Sequence, residues 1–527
     1  MADDVVTTVQ KAYGFTGPSV DLGALVVDGA AHPEAQVRLP LAMMNRHGLV
    51  AGATGTGKTK TLQLMAEQLS AAGVPVFLAD IKGDLSGMAT GGEPSERVTN
   101  RANDVGAADW TPAAMPVEFY SLGGKGTGAA VRAKITSFGP VLLSKVLSLN
   151  DLQSSSLGLV FHYADKNGLG LDDLKDLRAV MAYLTSDDGQ EDLASLGGLS
   201  KATAGVILRK LIGFEDQGAE AFFGEPEFDT SLLLRTTPDG MGVVSVMELP
   251  EVREQPGLFS TFLMWLLADL FHDLPEVGDV DEPKLVFFFD EAHLLFDDAS
   301  AEFLDSIAQT VRLIRSKGVG VFFVTQTPKD VPGDVLAQLG NRVQHALRAF
   351  TPNDAKALKA TVSTFPRSSY DLEELLTALG IGEAIVTVLS ETGAPTPVAW
   401  TRLRPPRSLM AQLDPARQQQ MVASSPTAQR YAQPVDDASA YEKLKAREQA
   451  LQQVATEEAQ EGTPVVREPA PVAARTGHGA AEGRVAGIFA SPIFRSFARS
   501  ASSAAGREIA RSLFGTAPRR RRRRGLF

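Results

Sequence analysis

A chain that sets G-x-x-x-x-G-K-[ST] between a buried strand and an amphipathic helix has few folds open to it. Here that string is Gly52-Ala53-Thr54-Gly55-Thr56-Gly57-Lys58-Thr59. Gly48-Leu49-Val50-Ala51, just before it, reads as the end of a buried strand. Lys60 to Ala71, just after it, carries Leu62, Met65, Ala66 and Leu69 at helical spacing. The glycines let the backbone wrap tightly, so that successive N–H groups face one point at the positive end of the helix. The context predicts a loop that cradles the phosphates of a nucleoside triphosphate. Lys58 would reach the β- and γ-phosphates, and the Thr59 hydroxyl would bind Mg²⁺.

Strands and helices keep alternating beyond this unit. Val74 to Asp80 is a continuous apolar run, as expected of a strand covered on both faces of a parallel sheet. It ends in Asp80-Ile81-Lys82-Gly83-Asp84, at the carboxyl edge where such sheets bind ligands. Further strands are expected at Pro116–Tyr120, Gly242–Leu249, Leu285–Asp290 and Val319–Thr325, with helices at Phe259–His272 and Ala301–Lys317. Ile385–Leu389 and Pro397–Arg402 form a closing hairpin. Together they predict an α/β fold, a doubly wound and mostly parallel sheet.

Residues 139–229 read as a helical insertion, with apolar residues at i, i+3 and i+4 through Leu171–Leu184 and Leu199–Ile212. On this reading residues 1–44 are a leader with one strand near Ala24–Val27, and 45–413 are the nucleotide-binding core. Residues 414–483 are a low-complexity linker holding one solvated helix, Tyr441–Gln460. Residues 484–527 are a basic amphipathic segment followed by six consecutive arginines, Arg519 to Arg524. The composition of Glu461–Gly483 and of the tail predicts disorder there.

Several classes are excluded by composition. With no cysteine, disulfides and thiolate metal sites are ruled out. The longest apolar runs, Phe262–Leu267 and Leu285–Phe289, fall far short of the ~20 residues of a membrane span. Met1-Ala2-Asp3-Asp4 is acidic and starts no signal region, so a cytoplasmic, soluble protein with no integral membrane segment is expected. The net charge of −12 is unevenly divided. From Gln419 onwards there are 17 basic and 10 acidic residues, against 34 and 53 before it. An acidic body argues against a protein coated by nucleic acid over its whole surface, and leaves open a basic channel within an assembly.

Lys284-Leu285-Val286-Phe287-Phe288-Phe289-Asp290-Glu291 is an apolar strand ending in two carboxylates. A phosphate-loop enzyme needs an acid near the Thr59-bound Mg²⁺, which suits Asp290, and a group that polarises the attacking water, which suits Glu291. The letters Asp290-Glu291-Ala292-His293 also spell a helicase box. The long interval from Lys58, and the lack of the late glutamine- and arginine-rich motif, make that a coincidence. The next strand, Val319–Thr325, ends at Gln326, whose amide suits both a γ-phosphate and the attacking water. The helix before it ends in Arg312-Leu313-Ile314-Arg315-Ser316-Lys317. Basic residues there complement the helix dipole, and an arginine there can also serve as a finger into a neighbouring subunit's nucleotide. Arg342 is a second candidate finger. The tail chemistry suits phosphate polymers or an anionic surface.

The Gly-rich loop, Asp80-Ile81-Lys82-Gly83-Asp84, the Asp290-Glu291 strand and the Arg315-to-Pro328 segment together resemble the HerA–FtsK superfamily of ring-forming ATPases, over about Val37 to Arg404. The nearest likeness is to HerA-like bacterial ATPases. That resemblance implies a RecA-like core, ATP and Mg²⁺ as cofactors, a homo-hexamer that moves double-stranded DNA through its pore, and Arg315 as the finger acting in trans. The loop arrives at Gly52, too early for the N-terminal β-barrel of HerA translocases that work with a nuclease. The membrane spans and DNA-reading winged helix of FtsK also have no counterpart. An ATPase that remodels or gates a protein partner is the main alternative function. A phosphate-loop kinase is disfavoured, because Glu291 and Gln326 serve water rather than a second substrate.

Overall fold

The computed structural model describes residues 2–108, 110–250, 256–296, 301–435 and 439–460. The tail with Arg519 to Arg524 and the linker from Glu461 onwards lie outside the described residues. The chain divides into two units, Met1–Glu442 and Lys443–Phe527. In the second, the described residues 443–460 are helical, within the helix Ala440–Gln460. The first unit holds everything that follows.

Its strands are β1 (Ser19–Val27), β2 (Ala30–Pro40), β3 (Gly48–Ala51), β4 (Val76–Asp80), β5 (Val117–Leu122), β6 (Ala129–Val131), β7 (Val244–Glu248), β8 (Leu285–Phe289), β9 (Val319–Thr325), β10 (Asn341–His345), β11 (Glu383–Thr387) and β12 (Ala399–Leu403). They form one twelve-stranded sheet, ordered β2-β1-β12-β11-β10-β3-β9-β8-β4-β7-β5-β6. From β10 to β6 every neighbouring pair is parallel; β11, β12, β1 and β2 add an antiparallel flank. This is the doubly wound, mostly parallel α/β sheet expected of the sequence.

The apolar run in β8 follows from burial on both faces. Phe288 packs on Phe322, ring centres 5.2 Å apart, in the cluster that receives Leu62 and Met65 of the helix Lys58–Ala71. Phe287 and Phe289 point the other way. There Phe287 meets Phe77 at a tilt and Phe289 stacks on Phe323, and Phe77 in turn meets Phe262 of the helix Pro256–Asp273. A period of two with both faces covered leaves no polar position.

Helices fill the interval between β6 and β7: Ile135–Val146, Asp151–Lys166, Leu174–Thr185, Gln190–Ser195 and Lys201–Asp216. Side-chain caps fix several starts, among them the reciprocal capping boxes Asn150/Gln153 and Asp173/Asp176.

The segment read as a leader is part of the sheet. β1 pairs with β12 and turns into β2 through Asp28-Gly29, both with positive φ, the two-residue hairpin that such a dipeptide favours. Another strand absent from the sequence reading is β10. It carries Asn341, Gln344 and His345 inside the sheet, so no apolar run marks it. Asn341 is fully paired instead. Asn341 Nδ2 donates to the carbonyls of Met43 and His47, both at 2.9 Å, and its Oδ1 accepts from Leu389 N at 3.1 Å. Among the described residues no helix is long and apolar enough to cross a membrane.

Candidate functional site

The loop Gly52–Gly57 leaves β3 between β9 and β10 and is tied to both. Gly52 N donates to Thr325 O at 3.2 Å, Ala53 N to Ala346 O at 2.8 Å, and Gly382 N, ahead of β11, to Thr56 O at 3.0 Å. Gly52 is there because of close approach: a Cβ on it would sit 2.4 Å from the Cβ of His345. Gly57 caps the following helix at φ 116°, which an L side chain rarely adopts. No side chain caps that terminus, so first-turn N–H groups remain available to an anion.

Lys58 is folded back on its own loop. Its buried ammonium donates to Gly52 O at 2.6 Å and to Ala53 O at 3.3 Å. Burial lowers its pKa, the charge of Lys82 lowers it further, and Glu291, Asp290 and Asp330 push back. Thr59 follows, half-buried in the first turn.

Two strands away, β8 delivers the carboxylates to the same edge. Asp290 is 1% exposed, and its Oδ1 accepts from Glu291 N at 2.9 Å. Its Oδ2 makes no hydrogen bond. Burial above all raises this carboxyl to about 6, against the pull of Lys82. Glu291 turns the chain with a left-handed backbone, φ 48°, directly after the strand. Burial works to raise its pKa too, but ion pairing with Lys82, then His293 and Lys58, leaves it below the ordinary value. His293 Nδ1 stands 3.2 Å from Glu291 Oε2.

β9 lies between β3 and β8, with Thr325 in register with Ala51 and Phe323 with Phe289. Gln326 therefore emerges, exposed, between the phosphate loop and the two carboxylates. The turn behind it is pinned by Asp330 Oδ2, which accepts from Thr325 Oγ1 at 2.8 Å and Thr327 N at 3.0 Å.

The arginines lie elsewhere. Arg315 precedes β9, at the opposite edge of the sheet. The seven residues of β9 separate it from Gln326 by roughly 20 Å, at ~3.3 Å per residue. Its Nη2 is 3.7 Å from Asp279 Oδ1, which also accepts from Arg46 Nη2 at 2.9 Å. Arg342 sits near the start of β10, paired in register with Leu49, and donates to Thr364 O at 3.3 Å. Neither reaches the phosphate loop of its own chain.

Two neighbours of the site carried no role in the sequence reading. Lys82 extends from the loop after β4, where Asp80 holds the backbone. The buried Asp80 Oδ1 accepts from Lys82 N, Gly83 N and Asp84 N at 3.2, 2.7 and 3.3 Å, and its Oδ2 from Leu85 N at 2.8 Å. Desolvation is the main reason its pKa rises to about 7. The Lys82 ammonium pairs with Glu291 Oε1 and lies 3.8 Å from Asp290 Oδ2. The sequence signal was available: a lysine two residues past a buried strand that adjoins the acidic one. His345 ends β10 beneath the loop. Its Nε2 is 2.8 Å from Thr61 Oγ1, and burial with nearby Lys58 depresses it to about 4, so it is neutral at pH 7.

The residues present fit a nucleotide-borne metal. Asp290 offers a buried oxygen with no hydrogen-bond donor, and Thr59 a hydroxyl at the helix start. Among the described residues no group of three or more His, Asp or Glu could hold a metal alone, so phosphate oxygens would have to complete the coordination.

Among solved structures, the bacterial conjugative coupling protein TrwBΔN70 in its unbound form superposes with a TM-score of 0.50 at 16% identity, covering 78% of this chain and 94% of that one. TrwB in complex with ADP and Mg²⁺ gives 0.50 at 17%, covering 76% and 98%. VirB4 of Thermoanaerobacter pseudethanolicus gives 0.44 at 14%, covering 73% and 96%. The first two share the fold. No curated protein matches the sequence. Residues 26–523 match the family described as helicase HerA-like C-terminal. With a phosphate loop and an acidic strand meeting at one edge of a RecA-like sheet, and that match spanning nearly the whole length, the chain belongs to the HerA-like C-terminal family of P-loop ATPases.

Proposed function

We propose that the chain is a Mg²⁺-dependent ATPase that works as a homo-hexameric ring in the cytoplasm and couples hydrolysis to movement along DNA. The observation that supports this most is the convergence of Lys58 and Thr59, Asp290 and Glu291, and Gln326 at one sheet edge from three adjacent strands, β3, β8 and β9. The fold shared with TrwB, a coupling protein solved with ADP and Mg²⁺, adds to it.

In this reading Lys58 leaves the carbonyls of Gly52 and Ala53 and turns to the β- and γ-phosphates, and the first-turn N–H groups hold the remaining oxygens. Thr59 and Asp290 would hold Mg²⁺, whose chemistry is to neutralise charge on the phosphate oxygens. Glu291, ionised at neutral pH, accepts the proton of the attacking water. Gln326 orients that water and reads the γ-phosphate. Arg315 cannot reach this site from its own chain, so its charge would stabilise the transition state in a neighbouring subunit, with Arg342 as the second candidate.

Steady-state ATPase with and without duplex DNA, across a salt series, tests the reading. Stimulation that fades with salt is expected, because phosphate contacts release counterions. Turnover that no nucleic acid stimulates overturns DNA translocation. Given the acidic body, that result would favour an ATPase that remodels or gates a protein partner.

A further inference from the structure

Lys82 does more at this site than balance a surface charge. Its backbone is fixed by the four N–H groups that Asp80 gathers, while its side chain is 38% exposed at the mouth of the site. Asp290 and Glu291 behind it are 1% and 10% exposed. The ammonium touches Glu291 Oε1, yet stays 3.8 Å from Asp290 Oδ2, too far for a hydrogen bond, and that oxygen has no donor at all. A structural ion pair would close that gap. An ammonium stretched between two buried carboxylates, each with an oxygen that accepts no hydrogen bond, instead marks a cation position that lysine fills imperfectly. Lys58 cannot fill it, because its ammonium is turned onto the carbonyls of Gly52 and Ala53.

We infer that Lys82 is the resident counter-ion of the nucleotide-free site, occupying the cation position between Asp290 and Glu291 and yielding it when a nucleotide-borne divalent ion arrives. This rests on the reading of Asp290 and Thr59 as the metal side of the nucleotide site. Two consequences follow from the charges. Before nucleotide binds, Lys82 keeps Glu291 Oε1 paired. It also weakens binding of a free divalent ion, which must displace a lysine without help from phosphate oxygens. Once the ion is bound, the Lys82 charge is repelled by it and leaves.

Mn²⁺, followed by its electron paramagnetic resonance signal, is the probe. Titrated without nucleotide, the full-length Lys82→Met chain should bind Mn²⁺ about tenfold or more tightly than wild type, the scale of one lost charge–charge contact. Lys82→Arg, which keeps the charge, should stay near wild type. Equal Mn²⁺ affinity in Lys82→Met and wild type overturns the inference. The wild-type chain gives a second arm that needs no variant. Acylation of Lys82 by an amine-reactive reagent, read by mass spectrometry, should rise severalfold when saturating Mn²⁺ is added without nucleotide, and an unchanged rate overturns the inference. A fluorescent ATP analogue added with Mn²⁺ separates the two claims. If the wild-type chain fails to bind it, the nucleotide-site reading fails, whatever Lys82 does.

Discussion

In the nucleotide-free site the buried Glu291 is held below the ordinary carboxylate range by Lys82 and His293. Replacing its carboxylate by an isosteric amide removes the base but not the volume. Glu291→Gln should therefore keep MgATP binding while turnover falls about 10²- to 10⁴-fold, the usual worth of a positioned general base. Phosphate release beside a fluorescent-nucleotide titration checks both halves, and normal turnover would remove Glu291 from its role. Lys58→Ala, by contrast, should lose binding or turnover altogether.

A second residue-scale consequence concerns the buried imidazole of His47. Its Nδ1 accepts from Val321 N at 3.1 Å, and burial depresses it to about 4. The unfolded chain takes up that proton near pH 6.5 and the folded chain only near 4. Stability from this group is thus complete above pH 6.5 and is lost as pH falls from 6.5 to 4, by about 3 kcal/mol. Asp80, raised to about 7, acts in the opposite sense, so a comparison of two proteins is needed. His47→Asn keeps a side-chain acceptor and removes the titratable ring. Melting temperature plotted against pH should fall less steeply over that window in the variant. Parallel curves would contradict the assignment.

Among the elements, β10 is the most exacting. Asn341 meets three backbone groups at once, two buried at 2.9 Å and one partly buried at 3.1 Å. Asn341→Ala should destabilise the fold by about 2–4 kcal/mol, since each unsatisfied buried group costs about 1–3 kcal/mol and some relaxation follows. Urea unfolding measures this, and a change under ~0.5 kcal/mol, the scale of a neutral surface substitution, would contradict the account of this strand. The same strand shows where the sequence stopped being legible. β4, β8 and β9 are covered on both faces and so read as apolar runs. β10 is nearly as buried but has an arginine, two amides and an imidazole among its five residues, and its burial is visible only once their partners are in place. The β1–β2 hairpin did have a local signal in Asp28-Gly29, but the alternation of β2, Ala35-Gln36-Val37-Arg38-Leu39, is confined to its second half, and the first five residues are exposed or half-buried. At the site, Lys58, Asp290, Glu291 and Gln326 stand at the edge where the sequence places them, because each ends a strand or starts a helix there. Lys82 likewise follows a buried strand, but its pairing with Glu291 shows only once β4 and β8 lie side by side.

At the scale of the whole molecule, the proposed hydrolysis residues and Arg315 sit at opposite edges of one sheet. A ring brings such edges together between neighbours, so a subunit lacking Arg315 and a subunit lacking Glu291 have complementary faults. Mixed Arg315→Ala and Glu291→Gln subunits should recover part of the ATPase that each lacks alone. No recovery at any ratio would argue against Arg315 acting in trans.

The central claim is that hydrolysis at this site moves the protein along DNA. Displacement of a triplex-forming strand from duplex DNA reads that movement directly. The account predicts displacement with Mg–ATP, none with ADP, and none with the Glu291→Gln chain. Full ATP turnover on the same DNA with the third strand left in place would contradict it.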